Sequence, residues 1–162
     1  MRPIPFIFTI LFLAFIQVSQ AISQATAKNA LKVHNQYRKL HGAPALRWNS
    51  TLESYAQKWS NKCKFQHTQG PYGENLAWGY GNYPAAIKAW YNEEKQYNYN
   101  NPGFTAGTGH FTAMVWKSTT DVGCGIKKCD GGAPMYTCSY WPAGNIVSAD
   151  NAYFKANVLP PK

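Results

Sequence analysis

A chain of 162 residues has room for one domain and one core, and its 45% hydrophobic and 15% aromatic content argues that the core is well filled. The formal net charge is +9, which favours anionic surfaces, yet the bases are scattered and Lys127-Lys128 is the only pair of adjacent lysines. A nucleic-acid groove is therefore not expected, and the charge reads as solubilising with weak adhesion to cell walls or lipid head groups.

The N-terminus reads as a secretory signal peptide over residues 1–21. Met1-Arg2-Pro3 supplies one positive charge, Ile4 to Ile16 is almost unbroken apolar sequence, and Ser19-Gln20-Ala21 offers small residues for cleavage after Ala21. The apolar run is shorter than the roughly 20 residues a spanning helix needs, and no second run follows. The expected destination is extracellular, with a single domain over residues 27–155.

The first helix is expected from Ala27 to Leu40, with Val33, Tyr37 and Leu40 at helical spacing and a stop at Gly42-Ala43-Pro44. Ser50 with Glu53 then reads as a capping box ahead of a second helix, whose Leu52, Tyr55, Ala56, Trp59 and Cys63 share one face. Asn49-Ser50-Thr51 is an N-glycosylation sequon beside that cap. Asn82-Tyr83-Pro84 places a proline in the first turn of a third helix with Ile87, Trp90 and Tyr91 pointing inward. A loop rich in turn formers follows from Tyr97 to Phe104, then a short helix over residues 111–116. Two strand-like runs, Val122 to Ile126 and Met135 to Tyr140, flank the turn signal Asp130-Gly131-Gly132. Helices followed by an antiparallel hairpin suggest an α+β layered domain.

Four cysteines in a chain bound for an oxidising compartment predict two disulfides. Cys124 and Cys138 are equidistant from Gly131 and so face each other across the hairpin. Cys124 and Cys129 on one extended strand would lie about 16 Å apart, beyond the ~7 Å limit for bridging. The expected pairs are Cys124 with Cys138 and Cys63 with Cys129, the second closing a long loop.

Acidic side chains are scarce, seven in all, which makes Glu74 and the pair Glu93-Glu94 informative. His67, seven residues before Glu74, and His110, just ahead of an apolar run, complete a set of imidazoles and carboxylates able to converge if their elements pack together.

Two long segments, Gly109-His-Phe-Thr-Ala-Met-Val-Trp-Lys-Ser118 and Tyr136-Thr-Cys-Ser-Tyr-Trp-Pro-Ala-Gly-Asn-Ile146, resemble the two signatures of the CAP superfamily: cysteine-rich secretory proteins, antigen 5 and pathogenesis-related protein 1. His34 to Arg38, Pro71 to Leu76 and Trp90 to Glu93 resemble further family segments. The resemblance implies a three-layer α-β-α sandwich with an antiparallel sheet and agrees with the disulfides argued above. It also places the family's cavity tetrad on His67, Glu74, Glu93 and His110, with Glu94 the substitute for Glu93 if the helix register differs. Two imidazoles and two carboxylates suit a weak, open site for Zn²⁺ or Mg²⁺, binding only when the imidazoles are neutral.

Catalysis is not expected: there is no helical His-Glu-x-x-His pair, Ser118 and Ser139 have no evident base nearby, and all the cysteines are spent in bridges. Trp90-Tyr-Asn-Glu93 and Asn101-Pro-Gly-Phe104 resemble fungal CAP proteins, which bind sterols in this loop, and imply that Tyr97, Tyr99, Pro102 and Phe104 contact a sterol or other small lipid. The resulting expectation is a secreted, monomeric lipid-binding protein acting in export, sequestration, pathogenesis or defence. The alternatives are a secreted metal-binding effector and a metal-dependent hydrolase. Plant relatives release a C-terminal peptide after a Cys-Asn-Tyr-x segment; Cys138-Ser-Tyr-Trp141 departs from it at Ser139 and Trp141.

Overall fold

A computed structural model describes residues 22–162, so the expected signal peptide lies outside the described residues. Helix α1, Gln24–Leu40, begins earlier than its apolar spacing indicates because the Ser23 side chain accepts from Thr26 N and caps it. Its buried face also differs from the expected one. Ala30, His34 and Arg38 are buried, Val33 and Tyr37 are half-buried, and Leu40 is exposed. Polar groups can occupy that face because each is satisfied there. The Arg38 guanidinium donates to the carbonyls of Pro44, Met114, Trp116 and Thr119 at 2.8–2.9 Å.

Strand β1, Arg47–Trp48, leads into α2, Ser50–Ser60. The expected capping box does not form. Asn49 is the N-cap, its side chain accepting from Thr51 N and Leu52 N, while Glu53 instead accepts from Trp48 Nε1 at 2.8 Å. The helix buries Leu52, Ala56, Gln57 and Ser60; Tyr55 and Trp59 are half-buried, and Cys63 falls beyond its end. A Cβ at Gly123 or Gly125 would collide with the α2 backbone, so these two glycines let the helix lie directly on the sheet.

The sheet runs β1-β3-β4-β2, with β2 spanning Gly73–Trp78, β3 Asp121–Lys128 and β4 Pro134–Trp141. The β3–β4 hairpin is antiparallel as expected; β2 pairs antiparallel with β4, while the two-residue β1 pairs with β3 in parallel. Helix α2 covers one face; α1, α3 (Tyr83–Asn92) and α4 (Gly109–Val115) pack on the other. Pro84 sits in the first turn of α3 as expected, and Ile87 and Trp90 are buried. A last helix, α5 (Ala152–Asn157), drives Phe154 edge-on against Trp116 at 5.0 Å between ring centroids.

Both disulfides pair as the hairpin geometry predicts. Cys124 and Cys138 are register partners in β3 and β4 with Cα atoms 4.1 Å apart, and Cys63 joins Cys129 across 66 residues. The sheet's two faces thus carry two apolar clusters. The larger gathers Val122, Cys124, Tyr136, Cys138 and Tyr140 with the helices; the smaller gathers Leu76, Cys129 and Met135 under Trp59 and Cys63.

Candidate functional site

Glu74 and Asn75 are consecutive on β2, so their side chains leave opposite faces of the edge strand. Glu74 turns to the loop after α2. Its Oε1 accepts from His67 Nδ1 at 2.8 Å and from Thr68 N at 3.1 Å, and its carboxylate is almost fully buried although the imidazole is largely exposed. That hydrogen bond favours the imidazolium and raises the His67 pKa above its ordinary value. Asn75 turns the other way, donating from Nδ2 to the His110 carbonyl at 3.0 Å and to the Tyr140 hydroxyl at 3.3 Å.

Glu93 ends α3 and begins a 3-10 turn that carries its carboxylate to the start of α4. Its Oε2 accepts from His110 N and Phe111 N at 2.9 and 3.1 Å, two of the orphan donors at that helix start. Its Oε1 accepts from His110 Nδ1 at 2.6 Å. The His110 ring lies nearly parallel to Trp90, 6.2 Å between centroids. Glu94 takes no part: it accepts from the Tyr99 hydroxyl at 3.0 Å, so Glu93 is the residue that reaches His110.

The four tetrad residues thus form two His–Glu pairs straddling β2 rather than one cluster. Among the described residues no group of three or more His, Cys, Asp or Glu side chains is placed to hold a metal ion. A shallow cleft of about 220 Å³ is lined by His67, Gly70, Tyr72 and Glu74 with Thr68 and Gln69, and not by Glu93 or His110. In both pairs the Nδ1–H faces a carboxylate, which leaves Nε2 as the open ring nitrogen.

The loop after α3 presents less aromatic surface than its composition suggests. Tyr97 and Pro102 are buried, Tyr99 is half-buried edge-on to Tyr97 at 4.9 Å, and only Phe104, 51% exposed, faces solvent. Burial raises the Tyr97 and Tyr99 pKa values, with Glu94 adding to the shift at Tyr99. Beneath the loop lies a cleft of about 360 Å³ whose lining includes Tyr97, Pro102, Phe104, Thr108 and Val147, but not Tyr99. Asn49, the sequon residue, is half-buried with its Oδ1 committed to capping α2.

Several structural residues escaped the sequence reading. His34 bridges the Ala30 carbonyl and the Tyr140 hydroxyl at 2.9 Å each, and Asn145 ties the Thr112 hydroxyl to the Gly109 carbonyl at 2.6 and 2.8 Å. The signal available for the first was spacing: His34 and Arg38, four apart on α1, mark a polar face where an apolar one is usual.

The chain thus folds as a disulfide-stapled α-β-α sandwich with two His–Glu pairs on either side of an edge strand. The model of the cysteine-rich secretory protein family matches residues 31–140, and the chain belongs to that family. It is 44% identical over 146 residues to "Repressed by EFG1 protein 1" of Candida albicans, covering 83% of this chain and 54% of that protein. To "Protein PRY2" of Saccharomyces cerevisiae it is 47% identical over 133 residues, covering 78% and 39%. The chain therefore spans about half or less of the length of these fungal relatives. Among solved structures, BmVAL-1 superposes with a TM-score of 0.68 at 28% identity, covering 78% of this chain and 81% of that one.

Proposed function

We propose that this chain is a secreted binding protein whose ligand is a sterol or related small lipid, held in the cleft beneath the loop after α3. The observation that carries this reading is the cleft itself: about 360 Å³, floored by Tyr97 and Pro102 and rimmed by Phe104 and Val147, which are 51% and 66% exposed. Its size is within the range of small-molecule sites, and its apolar side chains, set among the polar groups of Asn98, Asn101 and Asn151, offer a small lipid both ring contacts and hydrogen-bond partners. Tyr99 acts indirectly, bracing Tyr97 while its hydroxyl is anchored on Glu94. Secretion is supported by the two disulfides and by membership of the cysteine-rich secretory protein family.

The test is binding of labelled cholesterol and ergosterol to the purified chain, with competition by unlabelled sterol and fatty acid. Phe104→Ala should weaken saturable binding about tenfold while leaving the circular dichroism spectrum unchanged. Tyr97 and Tyr99 are poor targets, since removing core rings would disturb the fold as well. Sterol binding that Phe104→Ala does not change would place the ligand elsewhere.

A second reading, weak Zn²⁺ or Mg²⁺ binding, is favoured by the two pinned imidazoles with open Nε2 atoms. The pairs fit an ion as separate weak sites rather than as one four-residue cage. His67→Ala combined with His110→Ala should abolish Zn²⁺ heat in calorimetry and leave sterol affinity unchanged; loss of both would couple the sites. A Lewis-acidic ion there would supply water activation, and hydrolysis stands behind binding because no cysteine is free and the Ser139 hydroxyl is buried without a partner.

A further inference from the structure

On the side of α2 facing away from its buried residues, a surface remains that neither the lipid cleft nor the His–Glu pairs account for. A cleft of about 350 Å³ is lined by Ser50, Thr51, Ser54, Tyr55, Lys58 and Tyr72. Three of those six carry hydroxymethyl or hydroxyethyl groups, two are phenols, and no carboxylate contributes. Tyr55 stands edge-on to Tyr72 at 4.9 Å and 86°, and Tyr72 edge-on to Trp141 at 6.0 Å and 88°. The three rings make a ladder that ends on Trp141, 48% exposed at the end of β4. Tyr72 also lines the smaller cleft holding His67 and Glu74, so the ladder joins two adjoining depressions.

The position of Tyr55 is built in. Its hydroxyl fills the space where a side chain at residue 70 would begin, so Gly70 is what allows the ring to stand there. The rings are fixed edge-to-face rather than laid side by side, and the hydroxyl-bearing Ser50, Thr51 and Ser54 line the same cleft as Tyr55 and Tyr72 instead of adding apolar surface. That arrangement is a poor match for a bilayer, which rewards continuous apolar area, and for an acidic polymer, which would need more than one lysine. It matches a pyranose, whose C–H faces carry partial positive charge and stack on the negative face of an aromatic ring, while its rim of hydroxyls needs hydrogen-bonding partners. Gluco-configured units in β-linkage suit it best, because all their ring hydroxyls are equatorial and both faces stay apolar.

We propose that the Tyr55–Tyr72–Trp141 ladder and its hydroxyl-lined cleft bind a neutral, β-linked, gluco-configured oligosaccharide. Such a ligand would hold a secreted protein at a polysaccharide surface while the lipid cleft, on a different loop, stays free.

The experiment is a titration of the full chain with cellohexaose and chitohexaose, followed by tryptophan fluorescence and by calorimetry, with phosphatidylserine vesicles as the competing surface. Saturable binding to at least one hexaose is expected. Trp141→Ala and Tyr72→Ala should each weaken it about tenfold, the loss of one stacked ring, while Phe104→Ala leaves it unchanged. Trp141 is half exposed, so its variant folds even if Tyr72→Ala does not. Absence of saturable hexaose binding, hexaose binding indifferent to Trp141→Ala, or binding to the vesicles alone would each overturn the proposal. Because Phe104 lies outside the ladder, loss of sterol binding alone would count against the lipid reading and leave this one standing.

Discussion

His34 is buried, held between the Ala30 carbonyl and the Tyr140 hydroxyl, and burial pushes its pKa from 6.5 down to about 4, with the nearby Arg38 charge acting in the same direction. Below pH 6.5 the unfolded chain takes up a proton that the folded chain refuses. Stability is therefore complete above that pH and is lost as pH falls toward 4, by an amount on the order of 3 kcal/mol. His41, also lowered by burial, adds in the same direction. His67 has the opposite sign: its pKa is raised by Glu74, so its contribution is present below 6.5 and fades as pH rises through the raised value. Urea unfolding of the wild type and of His34→Gln at pH 7 and pH 4.5 checks this. The variant should be less stable at pH 7 yet lose less on acidification; an equal acid loss in both would remove His34 as the cause. The sequence carried the spacing of His34 and Arg38 but not the shift, because a histidine on an amphipathic helix looks the same whether it meets solvent or a tyrosine hydroxyl. Scarcity of acidic residues singled out the pair Glu93-Glu94 and the family resemblance chose Glu93, which the 3-10 turn carries to His110.

Helix α2 shows how one residue of offset changes an element's chemistry. The Ser50 and Glu53 spacing resembles a capping box, but the helix starts one residue earlier in capping terms, on Asn49, because the Asn side chain reaches both Thr51 N and Leu52 N. Asn49→Ala should therefore cost about 1 kcal/mol in urea unfolding, whereas Ser50→Ala should be nearly neutral. The reverse ranking would restore the capping box. Periodicity located α2 and α3 but misjudged the face of α1, since buried His34 is satisfied by the Tyr140 hydroxyl and Arg38 by the carbonyls of Met114, Trp116 and Thr119, partners that only the folded chain brings near. Strand β2 was not read as a strand at all. Glu74 and Asn75 look like site residues, and an edge strand with polar side chains on both faces lacks the alternating apolar signal.

The whole molecule is held by closure between distant segments, and this was the most legible level, because turn residues and cysteine spacing constrain each other before any packing is known. The two bridges do different work. Cys124–Cys138 closes a hairpin of separation 14 inside the core, whereas Cys63–Cys129 ties the end of α2 to the hairpin turn across 66 residues. Cys63 also sits at φ 51, a left-handed conformation that a non-glycine residue keeps only when its surroundings hold it. In the loop-entropy account, the longer closure is worth about 4 kcal/mol and the shorter about 3 kcal/mol. Replacing Cys63 and Cys129 with serine should thus lower unfolding stability by about 4 kcal/mol, and the α2 end, released from the sheet, should show the largest rise in amide exchange. Cys124 and Cys138 are fully buried, so serine there adds the cost of polar groups in an apolar cluster to the lost closure. If the Cys63 and Cys129 variant unfolds at the wild-type urea concentration, loop closure does not stabilise this sandwich, and its stability rests on the sheet and the three helices packed over the hairpin.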